Sequence, residues 1–227
     1  MKVVLLHSAL GDSRLWRRQV EALAAAHEVV APDLPGWGTE PLPTEAFSLV
    51  DYVTRFLPAA LVGNSFGGGV ALRTALAHPD RVSRLVLVGS GVPAWDWTQG
   101  LRDHFAREEA AFDSGDLDAA TEVNMEFWVA PQYRDEVRPQ QRLALELQTA
   151  HEEPELIWPE PAPLSSLGMP VLVIVGDQDK PDFIAIARHL AEEIDGAELA
   201  IVEGAGHLVG LDRPAELNAL LVEFLAD

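Results

Sequence analysis

Six short runs recur along the chain, most of them apolar almost without interruption: Val3–His7, Glu28–Pro32, Ala60–Gly63, Leu85–Gly89, Val171–Gly176 and Glu198–Glu203. A strand with one wet face alternates apolar and polar residues; a parallel strand covered on both faces does not. Helical patterns lie between the runs. Arg14–Ala25 places Leu15, Val20, Leu23 and Ala24 on one face, and Phe66–His78 is a helix of small residues entered through glycines. Pro181–Ile194 repeats Phe183, Ile186, Ala187, Leu190 and Ile194 at helical spacing. A last helix, with Asp212 as its expected cap and Pro214 in its first turn, turns Leu217, Leu220, Leu221 and Phe224 inward. Strand and helix in alternation predict an α/β fold with right-handed crossovers. The 227 residues suit one domain with an insertion.

The insertion is visible as a break in the alternation. From about residue 94 to 164 no strand pattern appears, but three helices are expected near Gln99–Phe112, Leu117–Val129 and Arg138–His151, followed by a proline-rich return over 154–163. The expected division is a core of residues 1–93 and 165–227 with a helical cap, 94–164, over the carboxyl edge of its sheet. A peripheral helical subdomain with no part in chemistry is the plainer alternative.

Several function classes are excluded by composition. The chain has no cysteine, so disulfide scaffolds, zinc ribbons, thiol catalysis and iron–sulfur clusters fall away. A net charge of −20 argues against nucleic acid, which needs clustered Lys and Arg. No apolar run approaches the ~20 residues of a membrane span. The apolar start is shorter than a signal core and reads as a buried strand. The expectation is a soluble cytoplasmic protein with a small-molecule substrate, no metal and no cofactor; its oligomeric state is open, a homodimer included.

Chemistry concentrates at Leu61-Val62-Gly63-Asn64-Ser65-Phe66-Gly67-Gly68-Gly69. A G-x-S-x-G match is weak alone, but here an apolar strand runs into Gly63 and a helix follows at once. That is the setting in which a serine is presented on a strained turn, with helix N–H groups aimed at a developing anion. Of the seven histidines, His207 stands in a loop between the last strand and the last helix, where it can return to the serine across the sheet edge. His27 and His78 lie near helix ends, His189 lies off its helix's apolar stripe, His104 and His151 fall in the insertion, and His7 ends the first strand. The orienting carboxylate is Asp179 or Asp177, both just beyond Val171–Gly176. Asp179, further past the strand end, is preferred, and Asp177 is expected to brace the loop. One oxyanion donor is the N–H of Phe66; the other is expected from the loop after the first strand, at Ala9.

These residues resemble the α/β-hydrolase superfamily across nearly the whole chain. The resemblance rests on His7-Ser8 with Trp16 downstream, Asp33-Leu34-Pro35-Gly36-Trp37-Gly38, Gly63 to Gly68, Gly176 to Asp179, and Gly204-Ala205-Gly206-His207. It implies Ser65 as nucleophile, Asp179 as acid, His207 as base, and Ala9 and Phe66 as oxyanion donors. Two departures stand out. The usual His-Gly is His7-Ser8 here, and the family's first two strands are missing. The resemblance therefore implies a six-stranded, mainly parallel sheet in the order 2-1-3-4-5-6, its strand near 28–32 an exposed edge.

The activity so implied is cofactor-free hydrolysis of carboxylic esters or lactones through an acyl-enzyme. The segment from Gly206 through Glu216 resembles enol-lactonases. Asn64 and Phe66 resemble carbon–carbon hydrolases of ring-fission products, although those carry Trp where this chain has Leu208. Other serine branches, such as perhydrolases or lyases, and a non-catalytic ligand-binding protein on the same fold remain as alternatives. Trp95, Trp97, Phe127 and Trp128 are the expected pocket residues. Residues 94–165 carry sixteen carboxylates against five arginines (Arg102, Arg107, Arg134, Arg138 and Arg142), a formal −11. That field favours small to medium apolar, neutral substrates unless one of the five turns inward.

Overall fold

In the computed structural model of the chain, β1 (Lys2–Leu6), β2 (Glu28–Val30), β3 (Ala59–Asn64), β4 (Val82–Val88), β5 (Val171–Gly176) and β6 (Glu198–Val202) form one sheet. Its order is β2-β1-β3-β4-β5-β6 and every neighbouring pair is parallel, as the sequence implies. The structure describes residues 1–226 except 153 and 161. Glu153, one of the carboxylates counted above, and Pro161 of the proline-rich return lie outside the described residues, as does Asp227.

The helices are α1 (Arg17–Leu23), α2 (Leu49–Thr54), α3 (Phe66–Ala77), α4 (Gln99–Asp113), α5 (Leu117–Trp128), α6 (Arg134–Gln148), α7 (Pro181–Glu193), α8 (Val209–Asp212) and α9 (Pro214–Phe224). Period-two alternation divides the strands between two cores. Val4, Leu6, Leu61, Leu85, Leu87 and Val173 face α3 and α7. Val3, Leu5, Val62, Val86 and Ile174 face Leu23 of α1 and Leu217 and Leu221 of α9. Each such side chain contributes about 1.5–3 kcal/mol by leaving water, and both layers must form to cover one sheet.

A third, smaller core attaches the insertion. Met125 and Val129, at the end of α5, and Val137 of α6 pack against Leu10 and Leu15 after β1 and against Leu208 and Leu211 at α8. Helices α4 to α6 are thereby held above the carboxyl ends of β1 and β3. Among the described residues no helix is long and apolar enough to cross a membrane.

Three local expectations change. α2 has no counterpart in the sequence reading: at six residues it is too short to show a period, although Ser48 Oγ caps it by accepting from Asp51 N at 3.1 Å. α6 begins at Arg134, not Arg138, so Pro139 lies inside the helix rather than in its first turn. Asp135 and Glu136 occupy that first turn, where the helix dipole favours carboxylates. Asp212 does not cap the last helix. Its Oδ2 accepts from Gly206 N at 2.8 Å, and Arg213 is the residue before α9.

Candidate active site

Ser65 sits between β3 and α3 with φ 53° and ψ −113°, a backbone region that side-chain-bearing residues rarely adopt. Its neighbours make the turn this tight. A Cβ on Gly63 would lie 2.3 Å from Gly67 O, and one on Gly67 would lie 2.3 Å from Leu6 O. Glycine at both positions lets helix and sheet close on each other, which leaves the Ser65 hydroxyl exposed at the sheet edge.

His207 arrives from the loop after β6. Its Nδ1 lies 3.0 Å from each oxygen of Asp179, and its Nε2 lies 2.8 Å from Ser65 Oγ. A carboxylate only accepts, so Nδ1 carries the proton and Nε2 is left to accept from the serine hydroxyl. His207 and Asp179 are buried. Asn64 ties the elbow to this loop: its amide donates to Val88 O at 2.8 Å and to His207 O at 3.3 Å. Trp128 and Phe183 enclose the imidazole, with ring centroids at 4.6 and 4.4 Å. Asp177 points elsewhere; it is exposed and accepts from Gly204 N at 2.6 Å.

The expected oxyanion donors, Ala9 and Phe66, line the same cavity as Ser65. His7 Nε2 accepts from Leu34 N at 2.9 Å, so its Nδ1 carries the proton and donates to Ser8 O at 2.9 Å. Burial pushes the pKa of His7 down, keeping the ring in that neutral tautomer. Carbonyl and N–H point opposite ways across a trans peptide. Anchoring Ser8 O therefore fixes the direction of the Ala9 N–H. The next carbonyl, Ala9 O, accepts from Trp37 Nε1 at 3.0 Å and, with the Gln141 side-chain amide oriented so that its nitrogen meets the loop carbonyls, from that amide at 2.9 Å. That amide also donates to Leu10 O at 3.1 Å, and Gln140 Oε1 accepts from Asp12 N at 3.3 Å. Two adjacent glutamines of α6 thus hold the loop after β1. Among the described residues, the N–H groups of Ala9 and Phe66 have no protein acceptor.

Ser65, His207, Ala9 and Phe66 open on a cavity of about 300 Å³. Of the expected pocket residues, Trp97 and Trp128 line it, and Trp95 and Phe127 do not. Trp95 packs on His189 of α7, with centroids 5.6 Å apart. Thr98, just beyond, is pinned to α7 through Asp182, which accepts from Thr98 N at 2.8 Å and Oγ1 at 2.7 Å. Phe127 is one helical step, about 100°, from Trp128. It turns to a second cavity of about 400 Å³ beside Lys180, whose Nζ lies 4.1 Å from its ring centroid. Phe105, one of the insertion's aromatic residues, lines the first cavity too, and the sequence reading missed Gly89, Arg73, Phe183, Glu108, Asn124 and Gln141. At Gly89, φ is 49° and a Cβ would lie 3.2 Å from Asp179 Oδ2. For three of the others a signal existed: Arg73 is the one charge in α3, and Asn124 and Gln141 are polar residues on buried helix faces. Among the described residues no cluster of three or more His, Asp or Glu is placed to hold a metal ion.

His104 of α4 stacks on Phe127, centroids 3.8 Å apart, and neither ring nitrogen has a hydrogen-bond partner among the described residues. Burial, helped by the charge of Arg107, lowers its pKa to about 4. An unfolded histidine titrates near ~6.5. Above that value both states are neutral and His104 leaves stability unaffected. As pH falls from there towards about 4, the unfolded chain binds the proton first and stability is lost. The expected loss at pH 5 is about 2 kcal/mol, or about 4–8 °C in Tm. Comparing Tm at pH 7 and pH 5 checks this: His104→Phe should lose several degrees less than the parent. Equal losses would refute the assignment.

A family model described as the alpha/beta hydrolase family matches residues 3–220. A 2-hydroxymuconate semialdehyde hydrolase from Pseudomonas sp. (strain CF600) is 31% identical, over 93% of this chain and 81% of that protein. A putative carbamate hydrolase from Cronobacter turicensis is 28% identical, over 99% of this chain and 91% of that protein. In structure, the chain is similar to an enol-lactonase from Burkholderia xenovorans LB400. The TM-score is 0.78 at 23% identity, covering 100% of this chain and 91% of that one.

Proposed function

The chain belongs to the α/β-hydrolase family and is a hydrolase, and from this premise we propose that it cleaves carboxylic esters or lactones through an acyl-enzyme on Ser65. The observation that carries the reading is the unbroken chain Ser65 Oγ to His207 Nε2, His207 Nδ1 to Asp179, at the floor of a largely apolar cavity. Ser65 Oγ attacks the carbonyl carbon while its proton passes to His207 Nε2. The carbonyl oxygen, now an anion, accepts from the N–H groups of Ala9 and Phe66. Asp179 holds the imidazolium, which returns the proton to the departing alcohol. Water, activated by the same Nε2, then frees the acid. Helices α4 to α6 act as the cap, and Trp97 and Trp128 give the acyl group an apolar wall, suited to small or medium chains.

The test is hydrolysis of 4-nitrophenyl butanoate with rapid mixing and mass analysis. A burst of about one nitrophenol per chain is expected, with an acyl adduct on the peptide that contains Ser65. Hydrolysis with no burst and an adduct on another residue would overturn the assignment. Absence of turnover across an ester and lactone panel would favour a ligand-binding role. A carbon–carbon hydrolase is the second reading, favoured by the 31% identical semialdehyde hydrolase. A kcat/KM for 2-hydroxymuconate semialdehyde above that of every ester would establish it instead.

A further inference from the structure

The cavity wall above Ser65 carries one arginine, and it is not one of the five in the helical insertion. Arg73 is the only charged residue of α3, two turns beyond the nucleophile. Helical side chains lean towards the N-terminus, so the guanidinium lies back over Gly69, where Nη1 donates to Gly69 O at 3.1 Å. A Cβ on Gly69 would already lie 3.1 Å from that nitrogen. The third glycine after the serine thus makes the space the arginine occupies. Gly69 follows Ser65 by about 6 Å of helix rise.

Four of the insertion's five arginines are engaged otherwise, and the fifth, Arg107, does not line the cavity. Arg102 pairs with Asp96, Arg138 with Glu122 and Asp135, and Arg142 with Asp118 and Glu146. Arg134 donates to the carbonyls of Val129 and Glu126. Arg73 has no carboxylate within 4.0 Å among the described residues. The Trp158 ring lies 4.4 Å from the guanidinium carbon, and all the guanidinium N–H groups but one lack a protein acceptor among the described residues. Burial works against its charge, pushing the pKa down. A half-buried cation without a counter-ion, at a site built for carbonyl chemistry, is a place for an anion. The other charge on the wall, Glu108, is occupied by Asn124, whose Nδ2 donates to it at 2.7 Å.

We propose that Arg73 is a specificity-determining residue that binds a carboxylate of the substrate, a short chain away from the carbonyl that Ser65 attacks. As to the bond cleaved, the proposal rests on the ester or lactone reading above; the anion site itself does not. It reverses the neutral preference drawn from the insertion's charge, because the deciding cation lies on the core helix and within the cavity. A bidentate guanidinium–carboxylate pair there is worth about tenfold to a hundredfold in binding.

Two measurements test it. Calorimetry with glutarate should give binding to the parent protein, weakened at least about tenfold in Arg73→Met, with Arg73→Lys between because it keeps the charge and loses the fork. No binding by the parent at millimolar glutarate, or equal affinity in all three, overturns the proposal. The second measurement is the ratio of kcat/KM for 4-nitrophenyl hydrogen glutarate to that for 4-nitrophenyl pentanoate. The ratio should exceed one in the parent, fall at least about tenfold in Arg73→Met, and narrow between about 20 and about 500 mM salt. If both esters turn over and the substitution lowers both equally, the residue is structural and the proposal fails while the hydrolase reading stands. If glutarate binds through Arg73 and neither ester turns over, the ester reading fails and the anion site stands.

Discussion

Ser65→Ala is expected to lower kcat for a small chromogenic ester by about 10⁴- to 10⁶-fold, and His207→Ala to do the same. The two act on one proton: Ser65 Oγ lies 2.8 Å from His207 Nε2. Without the base the hydroxyl is a poor nucleophile, and without the hydroxyl the base has nothing to activate. The double variant should therefore be hardly slower than either single one. Residual hydrolysis from the Ala9 and Phe66 N–H groups and the cavity alone would set the floor. The fold should persist, since among the described residues the Ser65 side chain bonds only to His207, and the turn is set by Gly63 and Gly67. Steady-state kinetics on all three variants checks the point. Losses that multiply in the double variant, or a Ser65→Ala protein within tenfold of the parent, would show that another group attacks.

The second large effect separates two carboxylates two residues apart. Asp179→Asn is expected to cost about 10⁴-fold in kcat, because an amide nitrogen facing Nδ1 selects the tautomer whose Nε2 already bears a proton. Asp177→Asn should stay within a few-fold. Its contact is to Gly204 N, and an amide oxygen accepts that hydrogen bond as a carboxylate does. If Asp177→Asn is the more damaging in kcat/KM, the acid has been misassigned.

The inner strands β1, β3, β4 and β5 were legible because they are covered on both faces, which leaves nearly uninterrupted apolar runs in the sequence, and the strand order followed from the family resemblance. The elbow was legible for a different reason: the close approaches at Gly63 and Gly67 admit one residue type, so composition reports geometry. The cavity wall was not. Phe127 and Trp128 are neighbours in sequence, yet helix geometry sends one to Lys180 and the other to His207. Which of them faces the nucleophile depends on how α5 is rotated against the core, and no local pattern encodes that. Trp95 and Trp97 part in the same way, through the attachment of Thr98 to Asp182 on another helix. Counting the insertion's charges likewise weighs groups by sequence segment, and it leaves out Arg73, which reaches the cavity wall from α3.

The contacts of α6 carry a consequence for how such an enzyme would be cut down or fused. Gln140 and Gln141 reach out of the insertion to hold Asp12, Ala9 and Leu10, the loop that carries the second proposed oxyanion donor. Trp37 is the other side chain gripping the Ala9 carbonyl. A core stripped of residues 94–164 would keep Ser65, His207 and Asp179 but lose one of those two clamps. On the proposed reading, the roof and the loop with the second oxyanion donor are one mechanical part: swapping the helices to reshape the substrate side would also reset the position of a backbone N–H on the chemistry side.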